Sequence, residues 1–440
     1  MKIKRDILQK LASWKGQEDR KPLILQGARQ IGKTTSIRDF GEAHYQYVAE
    51  INFDKNEEAR QLFASTKDVS RILQQLPLLA KVPCNPGETL IFFDEIQECP
   101  QALAALKYFE EDAPEYHVIA AGSLLGVAIN HKGLSFPVGK VNMLNMHPVT
   151  FKEYLRAADP TLSQYADSIG KIEALPEIFC NQMREHYVRY QICGGLPYVT
   201  RAMLEGEGSD IIDARLDEML LSYSTDFSKH VEPRDVIRIQ EIWKSIPSQL
   251  SRENKKFIFR VVREGARARE YELALEWLVT AGMIYKIAVS EKPAIPLSFY
   301  EDTTSFKVYM LDVGLLRRLS RLPAEMLLSP NELFIEFKGA LAENSVLSSL
   351  LANGYDKPNY WTLSGNKAEV DFLVGDGLKL LPIEVKADTR ISGKSFAEFD
   401  CRYHPDLRIR FSMKNLDHTG NLLNIPLYLA DWLRALLPQV

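Results

Sequence analysis

Residues 22–34 read PLILQGARQIGKT: a short apolar run, a glycine-rich turn, and then a lysine and a threonine. From its first glycine onward this stretch fits the spacing GxxxxGK(S/T) at every fixed position. In that pattern the glycines let the backbone curl so that its N–H groups face phosphate oxygens, the lysine adds a positive charge, and the hydroxyl binds Mg²⁺. The apolar run predicts a strand and residues 33–44 predict a helix, the setting that a phosphate-binding loop requires. The stretch therefore predicts a site for a nucleoside triphosphate.

The predicted nucleotide site covers the whole loop and the ends of two later strands. Arg29 lies inside the loop and could reach a phosphate, although loop arginines usually point to solvent. Ser123 belongs to the Gly122-Ser123 pair that follows the apolar run HVIAA. A polar side chain there could contact the γ-phosphate, although strands commonly end in Gly-Ser turns. The residues expected to contact the nucleotide are Gly27, Ala28, Arg29, Gln30, Ile31, Gly32, Lys33, Thr34, Thr35, Asp94 and Ser123.

A second element, TLIFFDE at residues 89–95, supplies two adjacent carboxylates. Its four apolar residues predict a buried strand, and Asp94 at the strand's end can reach Mg²⁺ through water. Glu95 is placed to polarise the attacking water as a general base. Such a run is often only a strand entering a turn, but behind a complete phosphate loop it predicts ATP hydrolysis. We expect Lys33 and Glu95 to be catalytic, and Thr34 and Asp94 to bind the metal.

Composition limits the classes of protein that remain. Of 440 residues 46% are hydrophobic and 25% charged, and 54 basic against 58 acidic residues give a net charge of −4. These values exclude a disordered chain, a collagen-like repeat and a disulfide scaffold. Five cysteines without a CxxC pair fit a reducing cytosol. No stretch approaches 18 uninterrupted apolar residues, so we expect a cytoplasmic protein that does not span a membrane.

The middle of the chain carries a local excess of basic residues. A helix that ends near residue 281, followed by the strand-like MIYKIAV, fits the recognition helix and wing of a winged helix. The spacing predicts one basic helix face formed by Arg252, Lys256, Arg260, Arg263 and Arg267. This face could bind a nucleic-acid backbone, meet the triphosphate of a neighbouring subunit, or be an ordinary solvated surface. The turn at Gly194-Gly195-Leu196-Pro197 is assigned a structural or hinge role.

Three acidic elements and a lysine follow one another near the C-terminus. Glu343 lies in a predicted helix, Asp371 near the start of a strand, and Glu384 and Lys386 at the end of the next strand. This order is typical of restriction-endonuclease-like, or PD-(D/E)xK, nucleases. Asp371 and Glu384 would be Mg²⁺ ligands, Lys386 would orient or deprotonate water, and Glu343 would be a further ligand. Alternatively, the fold is retained without cleavage and these charges form a buried ion pair.

The motifs together resemble a known group of proteins. The segments GARQIGKTT, LIFFDEIQ, AAGSLLG, FPVGKVNMLNMHPVTFKEYL and GGLPYV occur in that order. They resemble bacterial and archaeal AAA-superfamily ATPases that carry a C-terminal domain of unknown function with a restriction-endonuclease-like core. In such relatives an arginine often follows the glycine matched here by Gly139; this chain has Lys140, so the resemblance does not place an arginine finger there.

These patterns predict an α/β chain of three domains. Residues 1–155 are expected to form an AAA-type P-loop ATPase domain with a parallel sheet, because apolar runs alternate there with helical patterns. Residues 156–325 are expected to form a helical lid with a winged-helix-like region. Residues 326–440 are expected to form the PD-(D/E)xK-like α/β domain.

The predicted function is Mg²⁺-dependent ATP hydrolysis coupled to a DNA-directed, nuclease-like C-terminal domain. One alternative is a nucleotide-gated switch whose inactive nuclease fold binds DNA or a protein. Another is a signalling or toxin-like ATPase that acts on a protein. ATP and Mg²⁺ are the expected cofactors. DNA, a partner protein and further copies of this chain are candidate partners.

Overall fold

The computed structural model describes residues 2–123, 136–231, 233–252, 255–328, 335–363, 368–387 and 393–440. The predicted motif AAGSLLG lies partly outside these residues. The chain divides into two compact units. The N-terminal unit comprises Arg5–His147 with Thr280–Gly282, and the C-terminal unit comprises the rest of the chain, chiefly Pro148–Val279 and Met283–Val440.

The N-terminal unit alternates helices with strands. Its helices are α1 Ile7–Lys15, α2 Lys33–His44, α3 Glu57–Ser65, α4 Val69–Ala80 and α5 Pro100–Asp112. Its strands are β1 Leu23–Gln26, β2 Tyr47–Asn52, β3 Thr89–Asp94, β4 His117–Gly122 and β5 Asn142–Asn145. The strands predicted at residues 22–26, in TLIFFDE and in HVIAA, and the helix predicted at residues 33–44, are confirmed to within about one residue.

These five strands form one sheet in the order β2-β3-β4-β1-β5, and every neighbouring pair is parallel. All residues of β3 and β4 are buried, as expected for apolar strands covered on both faces. Because the strands are parallel, their carboxyl ends meet at one edge of the sheet, where ligands of open α/β sheets bind. At this edge the predicted phosphate loop follows β1, Asp94 is the last residue of β3, and Ser123 follows β4.

The C-terminal unit begins with helices and ends in a mixed sheet. The helices up to residue 280 are α6 Phe151–Ala158, α7 Pro160–Asp167, α8 Glu177–Cys193, α9 Pro197–Leu204, α10 Ser209–His230, α11 Pro233–Leu250, α12 Phe259–Val262 and α13 Ala268–Thr280. The later helices are α14 Val313–Leu319, α15 Ala324–Leu328, α16 Ile335–Ala352, α17 Lys394–Tyr403 and α18 Leu433–Leu436. The strands are β6 Ile284–Ser290, β7 Glu301–Met310, β8 Asn359–Thr362, β9 Glu369–Asp376, β10 Lys379–Val385, β11 Arg408–Ser412, β12 Asp417–Thr419 and β13 Leu422–Pro426.

All eight strands belong to one sheet in the order β12-β13-β11-β10-β9-β8-β6-β7. Strand β6 is the segment that the sequence predicts as part of a wing. It pairs antiparallel with β7, and it joins the later strands through Val289 opposite Tyr360 of β8. The segments predicted as separate middle and C-terminal domains therefore share a sheet. The buried Tyr360 and Trp361 belong to its core.

Among the residues described between 252 and 267, the predicted basic helix face does not form. Helix α12 spans only four residues, and Lys255 has φ of +49°. The chain is held extended before α12 because Gln249 pairs with both backbone groups of Ile258 at 2.9 and 3.0 Å. Phe257 is buried, and its N–H donates to the carbonyl of Phe306 at 2.8 Å. Tertiary anchoring thus overrides a helical spacing of charges.

The Gly194-Gly195 turn encloses a buried carboxylate. Asp312 accepts hydrogen bonds from the N–H of Gly195 at 2.6 Å and, as the N-cap of α14, from the N–H of Leu315 at 3.0 Å. A Cβ at Gly194, whose φ is +70°, would lie 2.2 Å from an Asp312 oxygen. These contacts fix the turn against α14 and support the structural role rather than the hinge role.

We predict that Asp312 gives the C-terminal unit a pH-dependent stability. Burial raises the pKa of Asp312 to about 6, although the backbone N–H groups around it act in the opposite direction. An unfolded aspartate has a pKa of about 3.9, so from about pH 4 to about pH 6 the folded state binds more protons, and the free energy of unfolding decreases as pH rises. Asp312→Asn is expected to remove this slope, which integrates to about 3 kcal/mol. Urea unfolding across that range measures it, and parallel curves for variant and wild type would contradict it.

Candidate functional site

The loop between β1 and α2 is curled by three residues with positive φ. Gly27, Gln30 and Gly32 have φ of +150°, +63° and +95°. A Cβ at Gly27 would lie 2.4 Å from the carbonyl oxygen of Met146 and 2.7 Å from Cδ1 of Ile31, so only glycine fits there. Gly32 is the N-cap of α2. The N-terminus of that helix therefore opens directly from the loop, an arrangement that attracts anions.

Lys33 lies folded back within the curl of the loop. It is 8% exposed, and its Nζ donates to the carbonyl oxygens of Gly27 at 2.8 Å and Ala28 at 2.7 Å. Burial lowers the pKa of Lys33 to about 8, while the charges of Glu95 and Asp94 raise it. The ammonium group is thus held close to both predicted carboxylates.

Asp94 is hydrogen-bonded to the first turn of α2. Its two carboxylate oxygens lie 3.2 and 3.3 Å from Oγ1 of Thr34, and Asn52 donates to one of them at 3.1 Å. Burial and the neighbouring Glu95 raise the pKa of Asp94, whereas the hydrogen bonds from Asn52 and Thr34 lower it. Asn52 was not identified from sequence. Its only signal is its place as the last residue of β2, opposite Asp94 in the register.

Glu95 and Ser123 lie at the ends of neighbouring strands. Glu95 has φ of +50°, and its carboxylate accepts a hydrogen bond from the buried Gln97, a second residue that sequence reasoning missed. Arg29 does not simply point to solvent, because its Nε donates to Oγ of Ser123 at 3.1 Å. The loop is thereby joined to the end of β4.

The other predicted loop residues differ in what they offer a ligand. The side chain of Ile31 is fully buried in the core, so only its backbone can face a nucleotide. The side chain of Thr35 is exposed on α2. Lys140, which stands where relatives often have arginine, pairs with Glu110 at 2.9 Å and Glu111 at 3.1 Å.

The C-terminal constellation is a charged cluster in which Glu343, Asp371 and Glu384 are buried and the Lys386 side chain is 36% exposed. Asp371 accepts a hydrogen bond from the N–H of Val385 at 2.8 Å. Glu384 lies 2.8 Å from Nε of Arg410, which stands opposite it on β11, and 3.4 Å from Nζ of Lys386. The Glu384–Lys386 pair and the bond from the intervening Val385 to Asp371 bring three of the four predicted residues together. Burial lowers the pKa of Lys386, but the carboxylates of Asp371, Glu384 and Glu343 outweigh it and raise that pKa.

Further cations, which sequence reasoning missed, complete this cluster. Lys255 forms an ion pair with Glu343, which also accepts a hydrogen bond from the Tyr309 hydroxyl at 3.1 Å. The fully buried Lys307 pairs with Glu369. The cluster balances four carboxylates with four cations: Glu343, Glu369, Asp371, Glu384, Lys255, Lys307, Lys386 and Arg410. Nothing in the local sequence pairs Lys255, Lys307 or Arg410 with its carboxylate, because these three cations come from other strands and from the segment before α12.

The described residues contain no group of three or more His, Cys, Asp or Glu side chains placed to hold a metal ion. The predicted ligands Glu343, Asp371 and Glu384 do not form such a group. Their oxygens contact protein donors instead.

Family models match three segments of the chain. Residues 19–155 match an AAA domain, and the loop, the acidic strand and the parallel sheet all fall within or border this segment. This part of the chain is an AAA-type P-loop ATPase domain. Residues 184–326 match a domain of unknown function, DUF8612, and residues 338–428 match another, DUF4143.

The solved structures that match this chain are distant from it in sequence. A Walker-type ATPase of Pyrococcus abyssi is 15% identical with a TM-score of 0.47, over 72% of this chain and 96% of that one. The Aeropyrum pernix ORC1 protein in complex with DNA is 13% identical with a TM-score of 0.29, over 73% and 92%. The Thermotoga maritima RuvB Holliday junction branch migration motor is 16% identical with a TM-score of 0.29, over 67% and 91%. No curated protein matches the sequence. Among the described residues, no helix has the length and apolar character needed to cross a bilayer.

Proposed function

We propose that the N-terminal unit binds ATP and hydrolyses it with Mg²⁺. The observation that carries this proposal is the convergence of Lys33, Thr34, Asp94 and Glu95 at one edge of the parallel sheet. The loop supplies backbone N–H groups and a helix N-terminus for phosphates, and Lys33 lies within it. Phosphate release from ATP by the purified protein, with Mg²⁺ and with EDTA, tests the proposal.

The donor set at the end of β3 fits Mg²⁺. Thr34 and Asp94 present a hydroxyl and a carboxylate about one hydrogen bond apart, and this hard cation prefers oxygen ligands. Mg²⁺ held there would neutralise charge on the β- and γ-phosphates. Asn52 orients the Asp94 carboxylate by its hydrogen bond.

Glu95 and the Arg29–Ser123 pair complete the proposed chemistry. Glu95 would accept a proton from the attacking water, and Gln97 holds its carboxylate in place. Arg29 and Ser123 would contact the γ-phosphate from the loop and from β4, because their hydrogen bond places both at the same edge of the sheet.

For the C-terminal unit we infer that it binds DNA or a partner protein and does not cleave DNA. The observation that favours it over the nuclease is the charge balance of the buried cluster. Each predicted metal ligand already contacts a protein donor, and four cations neutralise the four carboxylates. A Mg²⁺ ion would have to displace these contacts, and breaking a buried ion pair is costly. The restriction-endonuclease-like fold and the winged helix remain proposals for this unit.

We predict that the purified protein binds DNA without cutting it. Labelled single- and double-stranded DNA would be incubated with the protein, with and without ATP and with Mg²⁺ or Mn²⁺. The expected result is binding that changes with ATP and no nicked product on a denaturing gel. Nicking that disappears in Asp371→Ala and Lys386→Ala would overturn this inference and establish the nuclease.

The same assay distinguishes a DNA target from a protein target. Arg260, Arg263 and Arg267 are exposed even though they do not share a helix face. Replacing all three with glutamine is expected to weaken DNA binding and to lower its salt dependence. Undiminished affinity in this variant would exclude these arginines as the DNA contact and favour the signalling or toxin-like alternative.

A further inference from the structure

An arginine outside the phosphate loop contacts the backbone of that loop. Arg5 lies two residues before α1, next to its N-cap Asp6, and it is 8% exposed. Its Nη1 donates to the carbonyl oxygen of Ile31 at 2.8 Å, and its Nη2 donates to the carbonyl oxygen of His147 at 2.7 Å. The planar guanidinium therefore bridges the loop to the segment after β5, a geometry that an ammonium group cannot reproduce.

The contact with Ile31 determines the direction of a neighbouring amide. The carbonyl of Ile31 and the N–H of Gly32 belong to the same peptide plane, and in a trans peptide they point in opposite directions. Because Arg5 holds the carbonyl, the Gly32 N–H points away from Arg5. Gly32 is the N-cap of α2, so this N–H is one of the groups from which a phosphate-binding loop is built.

The other contact anchors this arrangement to the sheet. The N–H of Met146 donates to the carbonyl of Gln26 at 2.9 Å, which continues the pairing of β5 with β1 up to the residue before His147. Gly27, at the start of the loop, packs closely against the Met146 carbonyl. The loop is thus fixed at its start by Gly27 against Met146 and near its end by Arg5 against His147.

We infer that Arg5 is a positioning residue for nucleotide phosphates. It holds the Ile31–Gly32 peptide in the orientation in which the amide can bind a phosphate oxygen, and it does not touch the nucleotide itself. This inference rests on the proposed ATP site in the same unit. Without the bridge the peptide plane can rotate, and phosphate binding weakens while the adenosine part of the nucleotide is unaffected.

The test compares Arg5→Lys and Arg5→Met with wild type. Dissociation constants for ATP, ADP and adenosine would be measured by calorimetry, KM and kcat by phosphate release, and the melting temperature by circular dichroism. Both variants are expected to bind ATP about tenfold more weakly, through loss of a charge-assisted hydrogen bond, and to raise KM more than they lower kcat. Adenosine affinity is expected to stay within about twofold of wild type.

Arg20→Lys is the matched control. Arg20 also donates to a backbone carbonyl within this unit, that of Pro114 at 2.8 Å, but that carbonyl is outside the loop. Its ATP affinity should equal that of wild type. Folded Arg5 variants with wild-type ATP affinity, or with equal losses for ATP and adenosine, would overturn the inference. If wild type itself binds no ATP, the proposed function fails instead.

Discussion

Lys33→Ala is expected to reduce ATP turnover by at least about 10³-fold, because it removes the positive charge that faces the phosphates. The residue is nearly buried, and its Nζ has two carbonyl oxygens of the loop as partners. Turnover and ATP binding would be measured on the same preparation, together with the melting temperature.

Lys10→Ala is the control for Lys33→Ala, since Lys10 is exposed on α1 of the same unit. It should leave turnover unchanged.

The charge of Lys33 also gives ATP binding a pH dependence. Because burial lowers the pKa of Lys33 to about 8, affinity should fall as the pH rises above that value. Unchanged hydrolysis by Lys33→Ala would defeat the assignment of the loop.

Glu95→Gln is expected to separate binding from hydrolysis. The amide keeps the shape of the side chain and one acceptor oxygen for Gln97, but it cannot accept a proton from water. We expect kcat to fall by about 10²–10⁴-fold, the usual contribution of a general base, while ATP affinity changes by less than about threefold. Calorimetry with ATP and a single-turnover assay would distinguish the two effects.

Glu98→Gln provides the matched control, because Glu98 lies three residues further along in the short 3₁₀ helix Ile96–Glu98. Its kcat should remain near that of wild type. A Glu95→Gln variant that hydrolyses ATP as fast as wild type would remove Glu95 from the mechanism and direct attention to another base.

The N-terminal unit could be predicted from sequence because its determinants are local. The residues between Gly27 and Thr34 fix the loop, and the four apolar residues of the buried β3 place Asp94 at the sheet edge. Asn52 and Arg5 could not be predicted in the same way. Their roles depend on the register of β2 with β3 and on a contact between residues far apart in sequence.

The C-terminal unit was predicted less completely because its charges pair over long distances. The order of Glu343, Asp371 and Glu384 could be identified in the sequence, but their counter-charges could not. Arg410 is 26 residues from Glu384, and Lys255 is 88 residues from Glu343. The predicted basic helix face does not form for a related reason. The buried Gln249 and Phe257 impose an extended chain where the spacing of charges alone predicts a helix.

The pairing of β6 with β8 determines where this chain can be divided into fragments that fold. A cut near residue 330 coincides with the gap between the two segments matched as domains of unknown function. It would nevertheless leave β6 and β8 each with an exposed edge of unpaired backbone N–H and C=O groups, which promotes aggregation. Fragments made by such a cut should aggregate when expressed alone and regain solubility when co-expressed, whereas a fragment spanning residues 148–440 keeps the sheet whole.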